Sequence, residues 1–295
     1  MRVGFIGTGN IGNPMAANVI AAGHELVVND LDQERTENLV ELGATWVSTP
    51  AEATAASEVV LTSLPGPPEV EAVLTGSDGI LAGAQSGTVY FDLSTNSPAD
   101  ARRLAAIAAE RGVTMLDAPV SNGVQGARDA KLAVMVGGDE ATFDRYRSVL
   151  EAIGEHIFYM GESGMGALTK LVNNMIAITS GMVLQEAVVL SAKAGLPPER
   201  GHEVWSVASA QRLVGGIPRL LERQVDDPSF ALNLAAKDLR LAIETGNQAG
   251  VAMPLASAAA DNLLRAAGRG WGDKAIVAAL VDAEQNAGLR DDASD

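Results

Sequence analysis

A glycine-rich loop at the start of the chain constrains the fold more than any other feature. Residues 2–6 predict a buried strand and residues 14–20 a helix, with Pro14 tolerated in its first turn. The loop between them has the G-x-G-x-x-G pattern in the strand–loop–helix context that dinucleotide binding requires. We therefore predict a Rossmann domain with a cofactor-binding loop, against the alternative of a glycine turn without ligand. The predicted cofactor ligands are Gly7, Thr8, Gly9, Asn10, Ile11 and Gly12.

The residue after the second predicted strand bears on which dinucleotide binds. Residues 25–29 predict that strand, and Asp30 follows it, near the place roughly 20 residues on where an acidic side chain meets the adenosine ribose. A carboxylate there repels the 2′-phosphate of NADP, and Leu31 supplies no cation. We predict NAD as the cofactor, with NADP less favoured. Two alternatives stay open, that Asp30 only caps the next helix and that Arg35 turns toward a phosphate.

Strand-like and helical runs alternate through the first half of the chain. Strands are predicted at residues 44–47, 58–64, 88–93, 113–116, 131–136 and 156–160, and helices at 51–56, 99–111 and 141–153. In an open α/β sheet, ligands lie beyond the carboxyl ends of the strands. Leu64, Pro65 and Thr95 at such ends are therefore candidate cofactor contacts, with plain turn chemistry as the alternative.

The chain changes character after about residue 163, where every periodic segment predicts a helix. The first runs from Gly164 to about Ala194, and Gly164 and Gly166 suit a flexible entry into it. Further helices are predicted at residues 200–209, 217–224, 231–247, 255–267 and 274–287. We predict an α/β chain with an NAD-binding Rossmann domain at residues 1–162. An all-helical domain for substrate binding and oligomerisation would follow at residues 163–295.

Composition excludes several classes of function. The 295 residues carry a net charge of −16, which argues against a nucleic-acid surface, and no cysteine, which excludes thiolate chemistry. The histidines show no metal-ligand spacing, so no metal is predicted. No uninterrupted apolar run has membrane-spanning length and no signal-peptide pattern is present, so we expect a cytoplasmic protein without a membrane partner. The long apolar helix after Gly164 predicts a homodimer or homotetramer.

Lys170 and Asn174 are the candidate chemical residues of that long helix. Four residues apart, they project from the same face. A cation beside an amide could handle a hydroxyl group and its proton. A solvated lysine with an incidental asparagine is the alternative, and a solvated face is likewise the alternative for Lys237 and Asp238.

With these residues together, the chain resembles the β-hydroxyacid dehydrogenase family, which includes 3-hydroxyisobutyrate dehydrogenase and tartronate semialdehyde reductase. The resemblance spans nearly the whole chain. Its motifs match a dinucleotide signature at residues 4–16, a substrate loop at 117–123, a catalytic helix at 164–174 and a cofactor-facing pair at 237–239.

The resemblance implies an NAD-dependent oxidoreductase that interconverts a small β-hydroxy acid and its semialdehyde. It implies that Lys170 is the proton donor and acceptor and that Asn174 is a substrate ligand. Ser121 and Gly123 would hold the substrate carboxylate. Leu64, Pro65, Thr95 and Lys237 would contact the cofactor. The chain departs from the family at Asn122, where glycine is usual, so a side chain facing the substrate is expected in this loop.

Three other functions fit the same scaffold. Imine reductases commonly lack the lysine, so Lys170 counts against that activity. Decarboxylation of the 6-phosphogluconate type needs a cationic cluster for a sugar phosphate. A dinucleotide-binding module that has lost catalysis would typically have lost the lysine, whereas this chain has both Lys170 and Asn174.

Overall fold

The computed structural model describes residues 1–226 and 229–291. The chain divides into two compact units, Met1–Leu171 and Val172–Asp295. A single helix, α9 (Met165–Lys193), contains the point of division. The domain boundary predicted between residues 162 and 163 stays a prediction.

The first unit is built on a nine-stranded sheet. Its strands are β1 (Arg2–Ile6), β2 (Glu25–Asn29), β3 (Thr45–Trp46), β4 (Val59–Thr62), β5 (Val89–Asp92), β6 (Thr114–Asp117), β7 (Val120–Ser121), β8 (Leu132–Gly137) and β9 (Gly154–Gly161). The order β3-β2-β1-β4-β5-β6 is parallel throughout and is that of a dinucleotide-binding Rossmann sheet. β8 then pairs antiparallel with β6 and β7, and parallel with β9. The predicted Rossmann fold is thereby confirmed.

Helices cover both faces of this sheet. They are α1 (Gly12–Ala21), α2 (Glu37–Glu41), α3 (Pro50–Ala55), α4 (Pro67–Thr75), α5 (Ile80–Gly83), α6 (Pro98–Ala109), α7 (Gly123–Arg128) and α8 (Glu140–Glu151). Alternate strand residues enter different cores: Leu61 and Phe91 lie in one buried cluster, Val60 and Tyr90 in another. Two covered faces explain why the strands are nearly continuous apolar runs.

Helices α4, α5 and α7 of this unit have no counterpart in the sequence prediction, and α2 was anticipated only as the helix after Asp30. The Pro-Gly-Pro-Pro run at residues 65–68 is typical of a loop, yet α4 begins at Pro67. Proline is tolerated in the first turn of a helix, so the Pro-Pro pair starts this one instead of preventing it. The other two are short: α5 has four residues, and α7, which begins at Gly123, has six.

The second unit is helical, as predicted. After α9 it contains α10 (Pro198–Trp205), α11 (Ile217–Glu222), α12 (Leu232–Gln248), α13 (Pro254–Ala266) and α14 (Ala278–Asn286). One core joins Ile178 of α9 to Leu239 of α12, Leu263 of α13 and Ala278 of α14. The helix predicted from Lys274 begins four positions later at Ala278, because residues 272–277 form turns and a bridge between Ala231 and Ala275.

Polar residues lie in one row across the carboxyl ends of the parallel strands. The register aligns Asn29, Ile6, Thr62, Asp92 and Asp117 from β2 through β1, β4 and β5 to β6. Apart from Ile6, each of them brings a polar side chain to that edge, where ligands of open α/β sheets bind. This row positions the candidate site of the first unit.

Candidate functional site

The glycine loop has the geometry that a bound pyrophosphate requires. Gly7 has φ +90°, and a Cβ there would lie 2.4 Å from the carbonyl oxygen of Ser63. A Cβ on Gly12 would lie 2.0 Å from the carbonyl oxygen of Gly7. Gly9 differs, because the nearest atom to its Cβ position is a guanidinium nitrogen of Arg35 at 3.6 Å. The chain itself therefore needs Gly7 and Gly12, whereas Gly9 leaves the face of the loop open at the start of α1.

Asp30 is hydrogen-bonded to this loop. Its Oδ2 accepts from the backbone N–H of Thr8 at 2.6 Å and from the Thr8 hydroxyl at 3.1 Å, while Oδ1 accepts from the N–H of Asp32 at 2.9 Å. The side chain that caps the following 3₁₀ turn is Asp32, which accepts from Glu34 N at 3.2 Å. The alternative that Asp30 only caps that turn is therefore wrong. The carboxylate of Asp30 lies beside the glycine loop, where a residue that binds the adenosine ribose is expected.

The guanidinium group of Arg35 lies beside the Cβ position of Gly9. Its Nε pairs with Asp32 Oδ2 at 3.3 Å, and both side chains are about half exposed. An exposed pair of this kind contributes only about 0–1 kcal/mol, so Arg35 is easily released toward a ligand. The alternative role of Arg35 as a phosphate ligand stays open.

We expect the enzyme to prefer NAD over NADP. A 2′-phosphate beside the Asp30 carboxylate costs on the order of 2 kcal/mol, which corresponds to about 30-fold in kcat/KM. Steady-state kinetics with both cofactors measures the ratio. Comparable values would contradict the prediction, and Arg35→Ala would then lower kcat/KM for NADP more than for NAD if Arg35 compensates for the phosphate.

Buried Asp92 joins the two loops that contain the other candidate cofactor contacts of the first unit. Its Oδ1 accepts from the Thr62 hydroxyl at 2.9 Å and from Ser94 N at 3.0 Å, and its Oδ2 accepts from Asn96 Nδ2 at 2.7 Å. The Ser94 hydroxyl in turn accepts from Leu64 N at 2.9 Å. The loop of Leu64 and Pro65 is thus fixed to the loop that contains Thr95. Sequence reasoning missed Asp92, although an acidic residue ending an apolar strand was a usable signal.

Burial raises the pKa of Asp92, and the hydrogen bonds from Ser94, Thr62 and Asn96 oppose that shift only in part. A raised pKa in the folded state means that the contribution of this group to stability is greatest below the ordinary carboxyl pKa. That contribution is lost as pH rises through the folded value. The Asp92 carboxyl group therefore contributes less to the stability of the fold at neutral pH than it does at acid pH.

Asp92→Asn is expected to raise the melting temperature at pH 7. The amide keeps an acceptor for Thr62 and Ser94, and the Oδ1 of Asn96, a buried atom without a hydrogen-bond partner, can turn to accept from the new amide. Removing the buried charge is worth about 1 kcal/mol, or about 2–4 °C. Calorimetry from pH 4 to pH 7 should show the gain shrinking toward acid. A gain that is constant with pH, or a loss at pH 7, would contradict the assignment.

The predicted substrate loop, residues 117–123, runs from the end of β6 through β7 to the start of α7. Ser121 ends β7 and is half-buried, while Asn122 and Gly123 are exposed. Asn122 has φ +97°, a left-handed conformation that asparagine adopts more readily than most residues. Its side-chain Nδ2 donates to the carbonyl oxygen of Lys131 at 2.9 Å, so the amide also fastens the loop to the start of β8. Whether the side chain faces a substrate stays a prediction.

In the second unit, a buried carboxylate brings two predicted site residues together. Asn174 Nδ2 donates to Asp238 Oδ2 at 2.6 Å, and Lys237 Nζ lies 3.2 Å from Asp238 Oδ1. Asn174 Oδ1 accepts from Asn173 Nδ2 at 3.1 Å. Asp238 is 3% exposed, so the alternative of a solvated face is wrong for this residue. A carboxylate can only accept from Asn174, which fixes the orientation of that amide.

Lys170 is buried on α9, with 9% of its surface exposed. Lysine is almost never buried without polar partners, and Asn174, one turn further along the same helix, is 8% exposed. A solvated helix face does not describe these residues. Among the residues that the structure describes, no cluster of His, Asp or Glu could hold a metal ion.

The parallel sheet, the glycine loop and the acidic residue after β2 define an NAD-binding oxidoreductase domain. The family model for the NAD-binding domain of 6-phosphogluconate dehydrogenase matches residues 2–161. The model for the NAD-binding domain of NADP-dependent 3-hydroxyisobutyrate dehydrogenase matches residues 164–283.

Individual proteins agree with these matches. The chain is 34% identical to 2-(hydroxymethyl)glutarate dehydrogenase of Eubacterium barkeri, over 98% of this chain and 97% of that protein. It is 36% identical to 2-hydroxy-3-oxopropionate reductase of Escherichia coli, over 86% and 87%. A structure of Mycobacterium tuberculosis 3-hydroxyisobutyrate dehydrogenase with L-serine superposes with a TM-score of 0.86 at 34% identity, covering 95% of this chain and 98% of that one. The chain belongs to the β-hydroxyacid dehydrogenase family and is an NAD-binding oxidoreductase.

Proposed function

We propose that this enzyme interconverts a small β-hydroxy acid and its semialdehyde with NAD, and that Lys170 donates and accepts the hydroxyl proton. The observation that carries the proposal is the burial of Lys170 on the helix that also contains Asn174. NAD supplies the chemistry of accepting a hydride. An ammonium group can polarise the carbonyl oxygen during reduction, and the neutral amine can remove the hydroxyl proton during oxidation.

The names of the relatives support one substrate class. 3-Hydroxyisobutyrate, 2-(hydroxymethyl)glutarate and L-serine all contain a hydroxymethyl group on the carbon that bears the carboxylate, and 2-hydroxy-3-oxopropionate is the aldehyde of such an acid. They differ only in the third substituent of that carbon. We therefore propose a substrate of the form HOCH₂–CHR–COO⁻, with R set by this chain's own pocket.

The remaining candidate residues divide between substrate and cofactor. Ser121, Asn122 and Gly123 would bind the carboxylate, because a small-residue turn can direct polar groups at an anion. Asn174 would bind the substrate beside Lys170. The proposed cofactor ligands are the glycine loop (residues 7–12), Asp30, Leu64, Pro65, Thr95 and Lys237.

The proposed division of labour assigns NAD binding to residues 1–162 and substrate binding and oligomerisation to residues 163–295. The helical unit supports it by holding Asn174, the proposed substrate ligand, on the buried carboxylate of Asp238. We also propose a cytoplasmic location, which fits an acidic chain without cysteine.

A panel of acids tests this function. NAD reduction followed by absorbance should occur with acids that contain HOCH₂–CHR–COO⁻ and not with 2-hydroxy acids such as lactate. Release of carbon dioxide from 6-phosphogluconate would favour the decarboxylase alternative. Reduction of a cyclic imine with no alcohol oxidation would favour an imine reductase. Cofactor binding without turnover on any of these compounds would favour the non-catalytic module.

We expect a homodimer or homotetramer in solution. By length and composition α9 is apolar enough to cross a membrane, because an 18-residue window of it has a mean hydropathy of 1.6. Only 28% of that window is buried within this chain. Its exposed apolar residues are Val172, Ile176, Val183 and Leu190. A second copy of the chain would cover them. Light scattering at micromolar concentration should report a dimer or tetramer, and a monomer would contradict the prediction.

A further inference from the structure

The carboxylate of Asp117 holds the first turn of α9. Asp117 ends β6 and is 3% exposed. Its Oδ1 accepts from Gly164 N at 2.7 Å, and its Oδ2 accepts from Ala167 N at 2.8 Å. Both N–H groups lie at the helix start, where no intrahelical acceptor is available. A residue about fifty positions earlier in the chain therefore caps the helix that contains Lys170.

The glycines at this helix start serve close packing. A Cβ on Gly166 would lie 2.2 Å from the carbonyl oxygen of Met135 and 2.9 Å from that of Asp117. Gly164 has φ +88°, and its Cβ position is 2.8 Å from the carbonyl oxygen of Pro98. The expectation of a flexible entry is wrong, because backbone atoms enclose this turn on several sides. The first turn of α9 is packed closely against these backbone atoms, and Asp117 accepts two of its N–H groups.

Asp117 is also the first residue of the predicted substrate loop, residues 117–123. The N–H of the next residue, Ala118, donates to the carbonyl oxygen of Asp92 at 2.8 Å, and Ser121 pairs with Ala133 of β8. On the helix side, Lys170 follows Ala167 by three residues, or about 4.5 Å of helix axis. One carboxylate thus connects the strand that leads into the Ser121 loop with the turn that precedes Lys170.

Only an ionised carboxylate satisfies both donors. An amide offers one acceptor atom, and its NH₂ group would face an N–H. Burial raises the pKa of Asp117, with a smaller contribution from Asp92, while the hydrogen bonds from Gly164 and Ala167 lower it. Asp117 therefore differs from Asp92, whose partner Asn96 is a side chain that can turn. Two backbone hydrogen bonds that asparagine cannot reproduce offset the cost of burying the charge of Asp117.

We propose that Asp117 is a positioning residue for the reaction: it sets the place of Lys170 through the first turn of α9, in register with the loop of Ser121. The inference rests on the proposed role of Lys170. It assigns Asp117 no contact with the substrate or the cofactor. Misplacement of a reacting group by about 1 Å can cost on the order of 10²-fold in rate, so a cap at this turn can be worth as much as a direct contact.

A double-mutant cycle tests the proposal. Asp117→Asn should lower kcat at least about 10-fold, while the Kd for NAD, measured by fluorescence titration, stays within about twofold. In the Lys170→Ala background the same substitution should change the residual kcat by less than about twofold, because there is no lysine left to misplace. An equal fold-loss in both backgrounds would overturn the inference and leave Asp117 a purely structural residue.

The control for the general cost of a lost cap is Asp139→Ala. Asp139 caps α8 by accepting from Thr142 N at 2.8 Å and from the Thr142 hydroxyl at 2.6 Å through the same Oδ1, so alanine, unlike asparagine, removes this cap from a helix without a proposed site residue. Its kcat should not change, and its melting temperature calibrates the general cost of a lost cap. A loss of kcat in Asp139→Ala as large as in Asp117→Asn would also overturn the inference.

If Asp117→Asn does not fold, Asp117→Glu replaces it in the cycle. Glutamate keeps both acceptors and moves them by about one methylene, so the variant should fold with a displaced first turn and lose kcat only when Lys170 is present. Failure of the proposed function is seen separately, as near-normal turnover of Lys170→Ala alone. Wild-type kcat in a folded Asp117→Glu or Asp117→Asn variant would overturn the positioning role.

Discussion

Replacing Lys170 by alanine is expected to lower kcat by at least about 10²–10⁴-fold, the usual contribution of a general acid or base. Lys170 is buried on α9, whereas the glycine loop proposed to bind the phosphates is held by the hydrogen bonds between Asp30 and Thr8. The Kd for NAD should therefore change little. Steady-state kinetics of acid oxidation, with NAD titration by fluorescence, measures both quantities.

Two further measurements sharpen this expectation. Lys170→Arg should restore little activity, because a guanidinium group does not release its proton near neutral pH. The wild-type rate of oxidation should rise with pH as the amine loses its proton, and this rise should be absent from Lys170→Ala. Near-normal turnover of the alanine variant would refute the mechanism and make Lys170 a structural residue.

Gly9→Ala is expected to weaken NAD binding about 10–100-fold without lowering the melting temperature. Among the described residues its Cβ would meet Arg35 alone, at 3.6 Å, so the fold has room for it. The methyl group would instead occupy the space through which a pyrophosphate reaches the loop N–H groups. Losing one charge-assisted hydrogen bond costs about 1.5–3 kcal/mol, which corresponds to that range.

Gly12→Ala and Gly268→Ala are the comparisons for this result. A Cβ on Gly12 would lie 2.0 Å from a backbone carbonyl oxygen, so this variant should lose both stability and NAD affinity. In the part of the chain that the structure describes, the Cβ position of Gly268 has no neighbouring group within 4 Å beyond its own helix backbone and adjacent residues, so its alanine variant should behave like the wild type. Unchanged NAD affinity in Gly9→Ala would mean that the loop is a glycine turn without ligand.

The sequence by itself determined the features that depend on local patterns. A short apolar run, a glycine loop and a helix at the start of the chain require the Rossmann βαβ unit, because each glycine has a local steric reason. The acidic residue after β2 and the switch from strand to helix periodicity after residue 163 are equally local. The same holds for the spacing of Lys170 and Asn174 on one helix.

Only the tertiary structure decided which distant groups satisfy one another. Asp117 caps a helix about fifty residues away, Asp92 joins two loops, and Asp238 fixes the amide of Asn174. No periodicity records such pairs, because a hydrogen bond depends on position in space and not on spacing along the chain. The glycines before Lys170 show the same limit: their sequence permitted a flexible entry, and the backbone packed around Gly166 made it a fixed one.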